Sequence, residues 1–259
     1  MAEIATQGSN LRGIAAMTFA AMILTLHDTL TKILLETYPI NQIVLLRQGF
    51  SLLILCAIVH ATVGWKGVQV VNRAAVTWRA VAFVASTGLI VASLSVLPVA
   101  SVLALVFASP LIVAALSVPF LGERVGPHRW AAVLAGFIGI LIILRPVSSN
   151  FDFLLLLPVA ASIAAGSRDV VTRWAGRTDS PVAILFWSNT AVVVLAPFTI
   201  PLAWEPISLP HLLLLLVVAG LNTAAHFLMI FSLRLADAAL VSPFRYTALV
   251  WAVLLGYLI

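Results

Sequence analysis

Residues 27–32, His27-Asp28-Thr29-Leu30-Thr31-Lys32, recur 141 positions later as Arg168-Asp169-Val170-Val171-Thr172-Arg173. Both stretches read Asp-x-x-Thr-basic, and each lies near the end of a long apolar segment. In each copy a proline follows, and a polar residue stands eight positions after it: Pro39 with Arg47, and Pro181 with Asn189. The shared order and spacing predict an internal repeat.

The composition of the 259-residue chain indicates the surroundings of these stretches. Hydrophobic residues make up 63% of the chain and charged residues 9%, against about 45–50% and about 25% in soluble domains. Mean hydropathy is +1.15. A soluble protein of this size could not cover its surface with so few charges. We therefore predict an all-α polytopic membrane protein, since the apolar runs are continuous and do not alternate as barrel strands do.

Long apolar windows predict nine membrane spans joined by short turns rich in proline and glycine. The windows cover about 12–35, 40–61, 76–97, 99–121, 129–145, 153–174, 181–203, 209–233 and 237–259. The joints leave no room for a soluble domain. Met1 to Asn10 is polar and the apolar stretch after it is too long for a signal-peptide core, so the first span is expected to remain in the mature protein.

The basic residues of alternate joints predict the orientation of the chain. With the N-terminus in the cytoplasm, the inner side holds nine basic residues: Arg12, Lys66, Arg73, Arg79, Arg124, Arg129, Arg173, Arg177 and Arg234. The outer side holds Arg145 and, near the membrane face, Lys32. This asymmetry follows the positive-inside rule and favours a cytoplasmic N-terminus. It also accounts for the net charge of +5 without nucleic acid, because no basic run with interleaved aromatic residues lies outside the spans.

The repeat predicts two halves of opposite orientation, residues 1–148 with spans 1–5 and residues 149–259 with spans 6–9. An offset of five helices inverts the second half, and inverted repeats are typical of secondary transporters with a solute site between the halves. The same offset predicts ten helices. We therefore expect a tenth helix beyond Ile259, where the chain stops while still apolar.

Three further motifs identify a family. They are Phe120-Leu121-Gly122-Glu123-Arg124-Val125 after span 4, Leu144-Arg145-Pro146 after span 5, and residues 236–247, from Ala236-Asp237-Ala238 to Arg245-Tyr246-Thr247, at the start of span 9. With the repeat, the sequence resembles the EamA family of the drug/metabolite transporter superfamily over essentially its whole length. The resemblance implies two five-helix repeats, a multi-pass protein of the bacterial inner (cytoplasmic) membrane, and a second Gly-Glu signature beyond Ile259.

Ionisable residues inside apolar spans indicate the solute pathway, because each costs about 2.5–3.5 kcal/mol at membrane depth. In the outer half, Asp28 and Arg47 are expected at similar depth on adjacent helices, with Lys32 one turn further out than Asp28. A structural ion pair and a substrate or gating role both remain open for this group. Lys32 also has the alternative of reaching the lipid headgroups.

A second group of polar residues is predicted in the inner half, where four helices contribute to one wet cavity. The pathway residues proposed there are Asp169, Asn189, His226, Arg245 and Tyr246. Arg245 is the sharpest candidate, and pairing with Asp169 across helices is its structural alternative. Pro110 and Pro243 interrupt spans 4 and 9, and each releases a backbone carbonyl at a kink or a break. Gly122 and Glu123 are assigned to the family motif.

The embedded charges are net positive, which favours an anionic or carboxylate-bearing solute. Proton coupling is left open, with His27, His226, Asp28 and Asp169 as alternative carriers. The expected partners are a small organic solute and membrane lipid, with homodimer formation open and no nucleic acid. No cofactor is expected, and with Cys56 as the single cysteine and no clustered histidines, no metal site is expected either.

Zinc-protease, nucleophile-elbow and phosphate-loop motifs are absent from the sequence, so an intramembrane enzyme is not favoured. We predict a secondary transporter, proton-coupled or facilitative, that works by alternating access. The family resemblance implies export of metabolites or amino-acid-like compounds, which the embedded charges extend to anionic metabolites, with uptake of a riboflavin-like vitamin as the alternative. A membrane scaffold or sensor without transport is the lower-ranked alternative.

Overall fold

The computed structural model describes residues 2–97, 102, 105–123, 126–127, 130–131, 134–135, 138, 152–199, 204–248, 250–251 and 254. All regular secondary structure in these ranges is helical. The α-helices are α1 Ala2–Leu35, α2 Ile40–Ile58, α3 Arg73–Val96, α4 Ser109–Leu121, α5 Leu156–Ala175, α6 Pro181–Thr199, α7 Leu209–Leu235 and α8 Ala238–Val241. A π-helical turn, Val59–Val63, extends α2, and 3₁₀ turns occupy Trp65–Val68, Phe153–Leu155 and Ser242–Tyr246.

Four helical segments are long and apolar enough to cross a membrane: Gly8–Leu35, Ile40–Val63, Phe153–Ala175 and Leu209–Leu235. The prediction of an all-helical polytopic membrane protein is therefore confirmed within the described residues. The count of nine spans stays a prediction. Most of the predicted span at 129–145 lies outside the described residues, and so do the ends of the windows that close at 203 and 259.

Local side chains explain where several helices begin and end. Asn72 precedes α3 and its side chain accepts a hydrogen bond from the Ala75 amide at 3.0 Å. Ser180 does the same before α6, where its hydroxyl accepts from the Ala183 amide at 3.1 Å. Both are N-caps, which satisfy amides that have no partner in the first helical turn. At the end of α4, Gly122 has φ 69°, the left-handed conformation that terminates a helix and favours glycine.

The regular α-helix of two predicted spans is interrupted where the sequence places prolines. Residues 107 and 108 form a turn, and α4 begins after them with Pro110 in its first turn. Pro243 likewise lies in the first turn of the 3₁₀ segment that follows α8. Of the kink and the break left open for Pro110, the turn at residues 107 and 108 corresponds to a break, whereas the described chain stays helical through Pro243 from residue 238 to 248. Proline has no amide proton to donate, so it is tolerated in the first turn of a helical segment.

The helices pack in pairs that join the first half of the chain to the second. Helix α1 packs on α7, α3 packs on α5, α2 packs on α6 and α7, and α3 also packs on α6. Helix α4 packs on α5, and the 3₁₀ segment Ser242–Tyr246 packs on α1. Buried aliphatic side chains fill these contacts, for example Met17 and Ala20 of α1 against Met229 and Leu233 of α7.

At one end of the bundle, the joint between α1 and α2 is tied to the residues that precede α7. The hydroxyl of Tyr38 lies 2.9 Å from His211 Nδ1. The Gln42 side chain forms two hydrogen bonds with the Glu205 backbone. Gln42 Nε2 donates to the Glu205 carbonyl at 2.8 Å, and the Glu205 backbone N–H donates to Gln42 Oε1 at 2.9 Å.

At the other end, the joint between α5 and α6 is tied to the residues that precede α3. The Asp179 carboxylate accepts hydrogen bonds from the Val71 and Asn72 amides at 2.6 and 3.0 Å. Trp187 donates from Nε1 to the Val68 carbonyl at 2.9 Å. Asp179 lies 141 positions after Tyr38, the offset that also separates the two Asp-x-x-Thr-basic stretches.

Candidate functional site

Charged and aromatic side chains from four segments meet inside the bundle. We call this group the central polar cluster; its members are Arg79 and Phe83 of α3, Arg168 and Asp169 of α5, His226 of α7, and Arg245 of the 3₁₀ segment. All except Arg245 are buried, and Arg245 is partly buried. Both halves of the chain therefore contribute to one polar group at the centre of an apolar bundle.

Asp169 is the anion of this cluster. Arg168 donates to Asp169 Oδ1 from Nε at 3.0 Å and lies 2.9 Å from it through Nη2. Arg245 Nη1 donates to the other oxygen, Oδ2. The two carboxylate oxygens are thus divided between two guanidinium groups, a charge-assisted arrangement that holds both cations in place. The cross-helix pair of Arg245 with Asp169, considered above as the structural alternative, is formed.

Arg79 is a buried cation that forms no salt bridge with a carboxylate among the described residues, and the residue is only 2% exposed. It donates from Nε to Thr172 Oγ1 at 3.0 Å and from Nη1 to the Ser188 hydroxyl. These bonds join α3 to α5 and to α6. The positive-inside prediction places Arg79 among the basic residues of the joints on the inner side. The structure corrects that assignment, because Arg79 lies within α3 and its donors reach two neighbouring helices.

Phe83 lies between the cations of the cluster. The guanidinium carbon of Arg79 lies 5.4 Å from the ring centroid and that of Arg168 lies 5.8 Å from it. The His226 ring meets Phe83 edge to face, with centroids 5.3 Å apart. Cations over an aromatic face are attracted by its quadrupole. Phe83 therefore helps to hold two like charges close together in the interior.

His27, Asp28 and Arg47 form a second group, the His27 bridge, between α1 and α2. Arg47 Nη1 lies 3.2 Å from His27 Nε2, and His27 Nδ1 lies 2.8 Å from Asp28 Oδ1. A guanidinium only donates, so Nε2 must accept and the ring proton must be on Nδ1, where it donates to Asp28. The His27 ring thus links the Asp28 carboxylate to the Arg47 guanidinium, with one hydrogen bond at each ring nitrogen.

The predicted outer group is therefore only partly brought together. Asp28 and Arg47 are linked through His27, while the Asp28 side chain is 67% exposed. Lys32 is exposed and forms no salt bridge with another described residue. The structural ion pair left open for this group is thus not formed between Asp28 and Lys32 in the described part of the chain.

Two buried asparagines lie on neighbouring helices of the same interior. Asn222 of α7 donates to Gln48 Oε1 at 3.2 Å and approaches Ser51 Oγ at 3.4 Å, which joins α7 to α2. Asn189 of α6 donates from Nδ2 to the Leu185 carbonyl at 2.9 Å. Its Oδ1 is buried and has no hydrogen-bond partner among the described residues.

Gly122 and Glu123 belong to a connection at the end of α4. Glu123 accepts hydrogen bonds from the Ala238 and Ala239 amides at 2.9 and 3.1 Å. Arg173 lies 3.5 Å from Glu123 and 3.0 Å from Asp237, and it donates to the Leu233 and Arg234 carbonyls at the end of α7. The Gly-Glu motif therefore caps α8 and connects α4 to it.

Tyr246 is partly buried at the edge of the cluster. Its ring centroid lies 6.3 Å from that of Phe107, in the turn before α4. Pro243 and Tyr246 also line a shallow hollow of about 330 Å³ with Phe244, Thr247 and Val250. The segments that contain Pro110 and Pro243 thus meet through Tyr246 and Phe107, beside Arg245.

Sequence reasoning missed Arg79 and Phe83 as site residues. Arg79 stands near the start of its apolar window, where a basic residue is typical of a loop. Their spacing of four places both on one face of α3, and this was the available signal. In the described residues, no group of three or more His, Cys, Asp and Glu side chains could hold a metal ion.

The chain is similar to a known family and to curated proteins. The sequence profile of the EamA-like transporter family matches residues 11–145. A riboflavin transporter of Rhizobium johnstonii is 36% identical over 176 residues, which cover 65% of this chain and 56% of that protein. A riboflavin transporter of Vibrio cholerae is 34% identical over 166 residues, or 62% of this chain and 55% of that protein.

An S-adenosylmethionine uptake transporter of Rickettsia bellii is 30% identical over 169 residues, covering 64% of this chain and 57% of that protein. The chain thus spans little more than half the length of the curated relatives it matches. A solved structure, described as a crystal structure of a protein, superposes with a TM-score of 0.75 at 19% identity, covering 97% of this chain and 88% of the other. That likeness concerns the fold alone.

The family profile covers α1 to α4, which supply Arg79, Phe83, Arg47 and the Gly122-Glu123 motif. The resemblance drawn from the sequence motifs is therefore confirmed. This multi-pass membrane protein belongs to the EamA-like transporter family.

Proposed function

We propose that the protein is a secondary transporter of the cytoplasmic membrane, with a cytoplasmic N-terminus. It would carry a small organic solute by alternating access between two inverted repeats, residues 1–148 and 149–259. The solute would pass between α1–α4 and the helices from α5 onward.

The packing of the helices supports the inverted repeat. If α1, α2 and α3 exchange with α5, α6 and α7, the principal contacts among these six helices map onto one another. The contact of α1 with α7 becomes that of α5 with α3, and the contact of α2 with α7 becomes that of α6 with α3. A two-fold relation between the halves produces this exchange.

The observation that carries a transport function is the central polar cluster. Each charge in a membrane interior costs about 2.5–3.5 kcal/mol, and three arginines and one aspartate meet here. In a purely structural subunit, aliphatic packing could hold the helices together without the free-energy cost of burying these charges. A carrier gains a polar site to which both of its halves contribute, so that a solute bound there affects how the halves pack.

The relatives favour uptake of a riboflavin-like solute, the alternative considered from the sequence. Riboflavin and S-adenosylmethionine, named for these relatives, both carry a fused nitrogen heterocycle on a polyhydroxylated five-carbon unit. We take a solute of this kind as the first candidate. Export of an amino-acid-like or anionic metabolite is the second candidate, because Arg47, Arg79, Arg168 and Arg245 exceed Asp28 and Asp169 in charge.

Flux measurements in proteoliposomes test the proposal. The protein would be reconstituted and offered labelled riboflavin, S-adenosylmethionine, neutral amino acids and dicarboxylates, each with and without a pH gradient. Saturable flux of riboflavin supports the first candidate, and flux confined to amino acids or carboxylates replaces it with the second. Dependence on the gradient separates a proton-coupled carrier from a facilitative one. Folded protein without flux of any solute overturns both candidates and favours a scaffold or sensor.

A further inference from the structure

Two buried polar atoms on neighbouring helices have no hydrogen-bond partner among the described residues: Nε of Arg47 on α2 and Oδ1 of Asn189 on α6. Buried polar atoms are almost always paired, by protein or by a bound molecule. One of these atoms is a donor and the other is an acceptor. Helix α2 packs on α6, and Leu45 and Val192, which lie two and three positions from these residues, belong to one hydrophobic cluster.

The chemical identity of each free atom follows from its neighbours. The Leu185 carbonyl can only accept, so the nitrogen of the Asn189 amide must face it and the oxygen must be the free atom. Arg47 already uses Nη1 on His27, and a guanidinium nitrogen only donates. The unsatisfied pair is thus one fixed acceptor and one fixed donor.

The two atoms lie at similar membrane depth under the proposed inverted repeat. Arg47 and Asn189 each stand eight residues after a proline that opens their helix, or about 12 Å along it. The helices start from opposite faces of a hydrocarbon core about 30 Å thick. The difference in depth is therefore about 6 Å, within the width of one fused heterocycle.

We propose that Arg47 and Asn189 bind the edge of a nitrogen heterocycle that carries a carbonyl or ring-nitrogen acceptor beside an N–H donor. Arg47 Nε donates to the acceptor, and Asn189 Oδ1 accepts from the N–H. The riboflavin ring presents this edge at N3–H between two carbonyls, and adenine presents it at the exocyclic N–H beside a ring nitrogen. The inference rests on the proposed transport of a riboflavin-like solute and names the residues that recognise it.

Comparison of riboflavin with 3-methylriboflavin, which has no donor at N3, tests the contact with Asn189. The unaltered protein in proteoliposomes should take up riboflavin with a KM lower than that for 3-methylriboflavin by about 10-fold or more, since the methyl group leaves a buried acceptor unpaired. In Asn189→Leu the two solutes should become equivalent. The ratio is measured within one preparation, so that a lower amount of folded protein cancels.

Two further variants make this test specific. Asn189→Asp keeps an oxygen at the same place and should retain the preference for riboflavin. This variant also provides a test if Asn189→Leu does not fold. Thr190→Val is the matched control, because Thr190 is the next residue of α6 and its hydroxyl bonds to the Phe186 carbonyl of its own helix. Its KM ratio should equal that of the unaltered protein.

Arg47→Lys tests the donor, because it keeps the charge and removes the Nε–H. The preference for riboflavin over analogues with sulfur in place of a carbonyl oxygen beside N3 should disappear in this variant. A full preference for riboflavin over 3-methylriboflavin in Asn189→Leu, or equal transport of the two by the unaltered protein, overturns the inference alone. Absence of riboflavin flux in the unaltered protein overturns the inference together with the first candidate function.

Discussion

Asp169 shows how one carboxylate organises several cations in an apolar interior. Its two oxygens are shared between Arg168 and Arg245, and Arg79 lies over the same Phe83 ring as Arg168. Removal of one of these charged side chains leaves its partners buried without full compensation of their charge. Such changes are strongly unfavourable, because the partner that remains is not rehydrated.

We expect Arg245→Ala to abolish transport while the protein still inserts into the membrane. Arg245 is only partly buried beside Tyr246, so its guanidinium group can contact a solute. In the variant, Arg168 still pairs with Asp169, and the protein should therefore still fold. Uptake rates should be divided by the amount of protein in the membrane fraction. Arg234→Ala, at an exposed position near the end of α7, is the control and should transport normally. Transport at the normal rate by Arg245→Ala would remove Arg245 from the site.

His27→Ala should lower the uptake rate by about 10-fold, since the Arg47 guanidinium and the Asp28 carboxylate lose the ring that joins them. His27→Gln should retain more activity because its amide offers an oxygen to Arg47 and an N–H to Asp28. Initial rates in proteoliposomes measure both variants. His60→Ala, on the exposed π-helical turn, should leave the rate unchanged. Equal activity of His27→Ala and the unaltered protein would contradict a role for the bridge.

At the scale of helices, the motif Gly122-Glu123 explains how a very short helix is held. Helix α8 has four residues, too few to be stable without tertiary contacts. The Glu123 carboxylate bonds to two amides of its first turn, where the helix dipole also favours a negative charge. Arg173 then joins Glu123 to the end of α7.

Glu123→Ala should reduce the free energy of unfolding by about 1–2 kcal/mol, the usual contribution of a helix cap. Glu123→Gln should cost less, because one oxygen still accepts. Thermal unfolding in detergent micelles measures both changes as a lower midpoint. Asp152→Ala is a suitable control, since Asp152 caps the exposed 3₁₀ turn Phe153–Leu155 and should have little effect. An unchanged midpoint in Glu123→Ala would show that the capping bonds do not stabilise α8.

At the scale of the whole molecule, equivalent joints at opposite ends of the bundle make related contacts. Tyr38 and Gln42 hold the residues before α7 at one end, and Asp179 holds the residues before α3 at the other. Each contact joins one half of the chain to the other. In a transporter of alternating access, such contacts must break in turn as each face opens.

The positive-inside asymmetry predicts which end faces the cytoplasm, and cysteine labelling tests it. Cys56 is the single cysteine, so Cys56→Ala provides a background for Lys66→Cys and Glu205→Cys, both at exposed positions. A membrane-impermeant maleimide applied to intact cells should label Glu205→Cys, and it should label Lys66→Cys only after permeabilisation. The reverse pattern would place the N-terminus outside.

Composition and long, continuous apolar runs alone determined that the protein is helical and crosses a membrane, because lipid permits few other structures for such sequences. The paired Asp-x-x-Thr-basic stretches and the Gly122-Glu123 motif likewise led to the family from sequence alone. Local features of this kind depend on neighbours along the chain. They need no knowledge of which helix packs on which.

Only the tertiary structure decided the partners of the buried charges. From the sequence, Arg79 is predicted to be a loop residue. It nevertheless bonds to Thr172 and Ser188, on two helices that are far away in sequence and adjacent in space. Lys32 is four positions from Asp28, as an ion pair along a helix requires, yet Asp28 bonds to His27. Phe83 gives no polar signal at all. Such partners depend on the rotation and depth of each helix in the bundle, and the packing of the two halves determines both.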